Sequence, residues 1–430
     1  MRCWSGFPFS RRWPGLPRPK ARKRPDNRLQ RLLTVPILPG GQYLFPETEL
    51  LMTPALAAEL HIAPSDPALV PIAEKVLEGV RLTKDDGVAL FESRDLLAIG
   101  ALADWSNRRK NGDRVFLCAN QHLNPTNVCI LRATCTFCSF ARRPKEDGAY
   151  TMELEEAFHE ASLARDTPVR EFHIVGGLHP KLRVSYYEEL IRGLKERHPG
   201  VEIKALTAVE IAHLARIEKS SVEDVLQRLV DAGLDTLPGG GAEVFAKGVR
   251  ATIAERKLAA EEWIDVHRRA HRMGVRSNAT MLYGHVETNE DRVDHLAMLR
   301  ELQDETGGFH AYIPLAYHPD NNELGEQLGR TGTATTGFDD LKNLAVGRLF
   351  LDNFRHIKTH WIMNTAKVSQ IALHFGVDDL EGTVRRERIY HDAGAHTPEG
   401  MTFAEIVRLI RDAGKRPVER DVQYQEVREW

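Results

Sequence analysis

The chain of 430 residues is long enough for one large α/β barrel or for two ordinary domains. Its 42% hydrophobic and 28% charged residues are the balance of a soluble globular enzyme. A formal net charge of −3 excludes a global drive toward nucleic acid or an anionic membrane, and no apolar run approaches the roughly 20 residues of a transmembrane helix.

Residues 1–51 differ in kind from the rest. Arg11, Arg12, Arg18, Lys20, Arg22, Lys23, Arg24, Arg28 and Arg31 are interspersed with Pro14, Pro17, Pro19 and Pro25. Such a stretch buries too little apolar surface to offset its ordering entropy, so a disordered extension is expected. Arg11-Arg12 has the form of a twin-arginine signal, but no useful apolar region follows it. A basic tail for nucleic acid is a second reading. The simplest is that Met52, followed by Thr53 and a helix-like run over 54–60, is the initiator.

From 67 to 110 the pattern is helical, with Ile72, Val76, Leu77 and Val80 on one face and Leu96, Leu97, Ile99 and Leu102 repeating it. An N-terminal helical cap over 52–112 is therefore expected, ahead of a main domain over 113–430. After Arg114, strands and helices alternate. Strand-like runs cover 115–119, 171–175, 202–206, 277–282, 311–315 and 356–361, with weaker ones at 234–237 and 379–384. Helices are expected at 185–197, 221–232, 260–273, 292–302 and 339–351, with Ser185, Ser221 and Asp339 as caps. Strands alternating with helices pair in parallel through right-handed crossovers. About eight such units predict an α/β fold, a TIM-type (β/α)8 or partial barrel, which needs about 250 residues. An open doubly wound sheet is the runner-up.

The five cysteines are Cys3, Cys118, Cys129, Cys135 and Cys138. An odd count with three in ten positions is a poor disulfide framework and suits a reducing cytosol, where thiolates bind metal; a cytoplasmic location is expected. The loop that leaves the first strand at Asn120 leads to Cys129, then to Cys135-Thr136-Phe137-Cys138. Three thiolates can hold three corners of an iron–sulfur cubane and leave one iron open, where Fe–S clusters usually take four cysteines. Cys118, inside a strand, is a poor fourth ligand. A zinc site completed by His122 or His173, in a zinc-stabilised binding barrel, is the alternative from another class.

In a TIM barrel the chemistry lies at the carboxyl ends of the strands. Gly176-Gly177 follows the second strand, where glycines permit close approach and offer N–H groups to an anion; a plain tight turn is the other reading. Gly239-Gly240-Gly241, with Glu243 beside it, repeats the logic. Glu210, just past the third strand, can contact a ribose or an ammonium group, or is simply an acid at a helix start. Asn278, Thr280 and Leu282 share one face of the fifth strand and Ala279, Met281 and Tyr283 the other; which set faces the lumen stays open. His285 and Glu287 lie at the mouth.

The cysteine loop, with an aromatic residue before its last thiol, resembles the signature of the radical S-adenosylmethionine (SAM) superfamily. It departs in one respect: five residues separate Cys129 from Cys135, where a shorter gap is usual. Further stretches resemble the menaquinone and deazaflavin branch. They are Asn124-Pro125-Thr126-Asn127, Val175-Gly176-Gly177-Leu178-His179-Pro180, Ala208-Val209-Glu210-Ile211, Leu237-Pro238-Gly239-Gly240-Gly241-Ala242-Glu243, the run from Asn278 to Glu287, and Ile313-Pro314-Leu315-Ala316. The pattern is most similar to the aminofutalosine synthases. Dehypoxanthine futalosine cyclases and deazaflavin (FO) synthase subunits are the alternatives.

The resemblance implies a 4Fe–4S cluster on Cys129, Cys135 and Cys138, whose open iron binds the amino and carboxylate groups of SAM. It implies Gly176, Gly177, Glu210, Gly240 and Asn278 as cofactor-binding residues. It further implies that the 5′-deoxyadenosyl radical adds to the enolpyruvyl double bond of 3-[(1-carboxyvinyl)oxy]benzoate, and that rearrangement and loss of carbon dioxide or bicarbonate give aminofutalosine for menaquinone biosynthesis. A substrate with two carboxylates wants polar and basic partners: His179, Arg276, Tyr283 and His285 are the candidates, with Lys204, Lys358 and His391 behind them. An electron donor such as flavodoxin or ferredoxin is implied, and neither a nucleic-acid nor a membrane partner.

Overall fold

In the computed structural model, residues 64–163, 168–332 and 334–430 are described. The basic extension over 1–51, Met52 and the first part of the expected cap lie outside them.

Among the described residues three α-helices precede the first strand: Val70–Glu78, Lys84–Glu92 and Leu96–Asn111. Thr83 and Asp86 form a reciprocal capping box that satisfies two free N–H groups at the start of the second helix. Asp95 caps the third by accepting the Ala98 N–H. Ile72, Ile99 and Leu102 are buried, as their spacing requires. Val80 and Leu97, 50% and 66% exposed, fall off the stripe.

Among the described residues seven strands then run to residue 357: β1 (Arg114–Leu117), β2 (Asn120–Leu123), β3 (Glu171–Ile174), β4 (Glu202–Ala205), β5 (Ser277–Tyr283), β6 (Phe309–Ala316) and β7 (His356–Ile357). β2, β3 and β4 pair in parallel, as do β5, β6 and β7. Two short staves join these sheets. Thr236 bridges to Lys204 and Leu237 to Ser277, which links β4 to β5. Asp379 bridges to both Lys358 and Phe116, and Arg385 to Gln121, so the segment 378–385 closes the ring between β7 and β2. The expected barrel is thus closed by eight parallel staves, and two of them, the weak runs of the sequence, are reduced to bridges.

The expected strand over 115–119 is broken. Asn120 N–H turns back to Cys118 O at 3.1 Å, and Ala119 O accepts Arg170 N–H at 2.8 Å. β1 ends before this bend, and the chain after it is the barrel strand β2 rather than a loop. β7 is also shorter than the run over 356–361, because a helix begins at Trp361. Ser221 caps its helix as expected. Ser185 does not cap: that helix starts at Val184. Asp339 occupies the third position of a helix capped by Thr336.

The C-terminal residues add two strands that the alternation did not reveal, β8 (Arg416–Arg420) and β9 (Glu426–Glu429). β8 runs parallel to β1, and β9 folds back on it. The turn between them crosses the amino ends of the barrel strands: Val422 N–H donates to Glu202 Oε2 at 3.0 Å, and Tyr424 OH to Asp379 Oδ2 at 2.7 Å. One end of the lumen is closed in this way, and the other is left for chemistry. Among the described residues no helix is long and apolar enough to cross a membrane.

Candidate active site

A cavity of about 270 Å³ lies at the carboxyl ends of the barrel strands. Cys129, Cys135 and Cys138 all line it as free thiols. Their loop is held by the backbone. Cys129 N–H donates to Arg142 O, Cys135 N–H to Leu131 O and Cys138 N–H to Cys135 O, at 2.9, 2.9 and 3.2 Å. The long gap after Cys129 folds into a turn whose Ile130 N–H reaches Leu178 O at 3.1 Å, beside the Gly176-Gly177 loop. Leu131, Phe137 and Phe140 add apolar lining. Cys118 is fully buried between β1 and β2 and does not line the cavity.

The thiol arrangement fits a cluster better than a single ion. Thiolates around one tetrahedral zinc sit about 3.8 Å apart, given its bond length of roughly 2.3 Å. Among the described residues, the group of three metal-binding side chains converging within 4.8 Å is Glu171, His173 and Glu381, and it includes no cysteine. Wider spacing is what three corners of a cubane require. Leu131 N–H donates to Cys129 Sγ at 3.4 Å, the kind of contact that stabilises a cluster sulfur.

Next to the thiols, the glycine positions are explained by packing. A Cβ on Gly177 would stand 2.3 Å from Val128 O, and one on Gly176 2.9 Å from Thr126 O. The loop after β3 is therefore pressed against the chain that enters the thiol loop. A Cβ on Gly239 would meet Asn278 O at 2.7 Å, and Gly241 takes a left-handed φ of +88°. Both glycine loops line the cavity, as do Glu210 and Asn278. Glu210 is buried, and burial raises its carboxyl to about 7. Of the two faces of β5, the one carrying Asn278, Thr280 and Leu282 lines the cavity, with Thr280 Oγ1 donating to Gly239 O at 2.6 Å.

The four substrate candidates are placed elsewhere. Tyr283 points away from the lumen and donates its OH to Asp340 Oδ1 at 2.8 Å. His285 folds back so that Nε2 meets Leu282 O at 3.0 Å. Arg276 immediately precedes β5, at the opposite end of the barrel. His179 Nδ1 accepts Lys181 and Leu182 N–H, a turn-capping role outside the cavity. Lys204 and Lys358 are fully enclosed and pair with Glu171 at 2.7 Å and Glu381 at 3.0 Å. His391 pairs with Glu387 at 3.0 Å, which raises its ring to about 9.

The cavity wall that the sequence did not reveal is a histidine cluster. His122 on β2 and His173 on β3 are register partners with ring centroids 4.5 Å apart. His360 follows β7, with its centroid 6.4 Å from that of His122, and His318 follows β6. All four line the cavity together with Glu381, Glu387 and Tyr390. From the sequence, His122 and His173 stand out only as zinc ligands. The signal available was their shared lumen face, which shows only once β2 is known to be a strand.

Comparison with known proteins agrees with this site. The Radical SAM superfamily model matches residues 123–299, and the CofH/MqnC C-terminal region matches residues 306–430. The chain is 48% identical over 365 residues to the aminodeoxyfutalosine synthase of Thermus thermophilus, covering 85% of this chain and 97% of that one. It is 37% identical over 361 residues to the cyclic dehypoxanthine futalosine synthase of Streptomyces coelicolor, covering 83% and 88%. Among solved structures, methylornithine synthase (PylB) superposes with a TM-score of 0.63 at 18% identity, covering 80% of this chain and 96% of that one, and so shares the fold. The radical SAM superfamily uses a 4Fe–4S cluster and SAM, and these are the cofactors of this enzyme. The chain belongs to the radical SAM superfamily, within the family of the aminodeoxyfutalosine synthases.

Proposed function

We propose that the enzyme is an aminofutalosine synthase, joining the 5′-deoxyadenosyl group of SAM to 3-[(1-carboxyvinyl)oxy]benzoate with loss of carbon dioxide or bicarbonate. The observation that carries this reading is the 48% identity to the Thermus thermophilus synthase over 97% of its length, against 37% to the cyclic futalosine enzyme. SAM is consumed as a co-substrate. Flavodoxin or ferredoxin supplies electrons, in the cytoplasm.

Cys129, Cys135 and Cys138 hold the cluster, with Phe137 and Phe140 as apolar cover. When bound, the cluster supplies the electron that cleaves SAM and frees its 5′-deoxyadenosyl group. Gly176, Gly177, Glu210, Gly240 and Asn278 form the SAM side of the cavity. The histidine side receives the aromatic substrate, which places its double bond near the carbon that attacks it. The turn carrying Tyr424 keeps water out of the lumen from below, as a reactive radical requires.

The test is turnover. Holoenzyme given SAM, a reductant and 3-[(1-carboxyvinyl)oxy]benzoate forms a product with the mass of aminofutalosine. Release of 5′-deoxyadenosine without that product would turn the reading toward the cyclase or deazaflavin chemistry.

A further inference from the structure

The fixed charges around the histidine end of the cavity already have partners. Lys204 pairs with Glu171 and Lys358 with Glu381, while Arg420 donates to Asp379 Oδ2 at 2.7 Å. Glu387 accepts Tyr390 N–H at 3.0 Å and pairs with His391. The lysine that lines the cavity, Lys257, is bound to Glu243 beside Cys135. Among the described residues no arginine lines this cavity.

The imidazoles are different. His122 Nε2, His173 Nδ1, His318 Nδ1 and His360 Nδ1 are each without a hydrogen-bond partner. His122, His318 and His360 are more than nine-tenths buried. An enclosed polar nitrogen left without a partner is costly, and these four belong to residues that line one cavity, where a polar ligand group can engage them. Burial pushes His122 and His173 down to about 3, which leaves both rings neutral, each with one N–H to give.

We infer that His122, His173, His318 and His360 form a carboxylate-binding subsite, which receives a carboxylate of the aromatic substrate through imidazole N–H donors rather than through a paired arginine or lysine. The assignment rests on the aminofutalosine reading for the identity of that substrate. A metal ion does not fit this wall. Among the described residues the ligand group that converges there is Glu171, His173 and Glu381, and both carboxylates are ion-paired, with Lys204 and Lys358. Glu381 and Glu387 also line this end, and their pairing with Lys358 and His391 keeps them from opposing an incoming anion. The His122 and His173 rings pack against each other, centroids 4.5 Å apart and planes inclined by 32°, and both line the cavity as aromatic surface beside which an arene can sit.

The test measures binding separately from turnover. Holoenzyme with SAM present is titrated calorimetrically with 3-[(1-carboxyvinyl)oxy]benzoate and with its benzoate methyl ester and its enolpyruvyl methyl ester. For His122→Gln and His360→Gln the dissociation constant of the dicarboxylate rises about tenfold or more, with SAM affinity and iron per chain unchanged. In the wild type one of the two esters binds about tenfold more weakly than the diacid, and in the histidine variants that discrimination disappears. Binding within about twofold of wild type in both variants overturns the subsite, as does wild-type protein that binds both esters as tightly as the diacid. The ester comparison needs only wild-type protein, so it decides the matter even where a variant misfolds. If the wild type binds the diacid but forms no adduct, the aminofutalosine reading fails and the subsite stands. If adduct forms and the histidine variants bind normally, only the subsite fails. Absence of any binding to the wild type overturns both.

Discussion

Glu210 accepts the backbone N–H of Gly176 at 2.9 Å, so one buried carboxylate ties the loop after β3 to the helix after β4. Its other oxygen accepts Thr207 N–H at 2.7 Å and Thr207 Oγ1–H at 2.8 Å. These donors lower its pKa, but burial outweighs them and leaves the folded value at about 7, above the ordinary 4.5. A carboxyl raised on folding favours the folded state while it is protonated. Its contribution is full below the unfolded value and is lost as pH rises through about 7. Lowering the pH from about 8 to about 6 should therefore raise the thermal midpoint of the wild type more than that of Glu210→Gln. Equal shifts in the two proteins would contradict this assignment.

Gly177→Ala tests the contact between the glycine loop and the thiol loop. The added methyl would stand 2.3 Å from Val128 O, a backbone atom with no side chain to swing aside. The loop entering Cys129 has to move. Iron bound per chain after reconstitution is expected to fall by half or more, while far-UV circular dichroism stays that of the wild type. Full iron loading would show that the loop accommodates the methyl.

The ion pair under the histidines is the sharpest stability test. Lys204 and Glu171 meet at 2.7 Å, 3% and 0% exposed. Removing Lys204 leaves the buried Glu171 with only the longer Arg420 contact at 3.6 Å, at a cost of up to about 3–5 kcal/mol. Lys204→Met should lose that much by denaturant unfolding, and Lys204→Met with Glu171→Leu should recover most of it. A double variant as unstable as the sum of the single ones would contradict the pairing.

Tyr283→Phe separates structure from chemistry. The hydroxyl donates to Asp340 behind β5, away from the cavity. Its loss should lower stability by about 1–2 kcal/mol and leave the KM for both substrates within about twofold. A tenfold rise in either KM would return Tyr283 to the site.

The parts of this molecule legible in the sequence are those whose chemistry is local. Three thiols in ten positions and a glycine pair after a strand carry their meaning at short range, whatever the rest of the chain does. The histidine wall does not. His122 reads as a loop residue, because nothing local marks the bend at Cys118 that restarts the chain as β2. His360 follows a strand of only two residues, and Glu381 arrives through a closing stave held by bridges alone. The placement of the residues expected at the mouth has the same origin. Tyr283 and His285 sit at a strand end, where function concentrates, but side-chain alternation sends Tyr283 outward and a local bond turns His285 back. Arg276 carries a suitable charge at the wrong end of its strand.

The most direct test of the central claim is a single anaerobic incubation of reconstituted enzyme with SAM, a low-potential reductant and 3-[(1-carboxyvinyl)oxy]benzoate, read by mass spectrometry. A product with the mass of aminofutalosine, formed by the wild type and absent with Cys135→Ala, is the predicted result. Intact substrate beside accumulating 5′-deoxyadenosine, or a product that survives the loss of Cys135, would contradict the account.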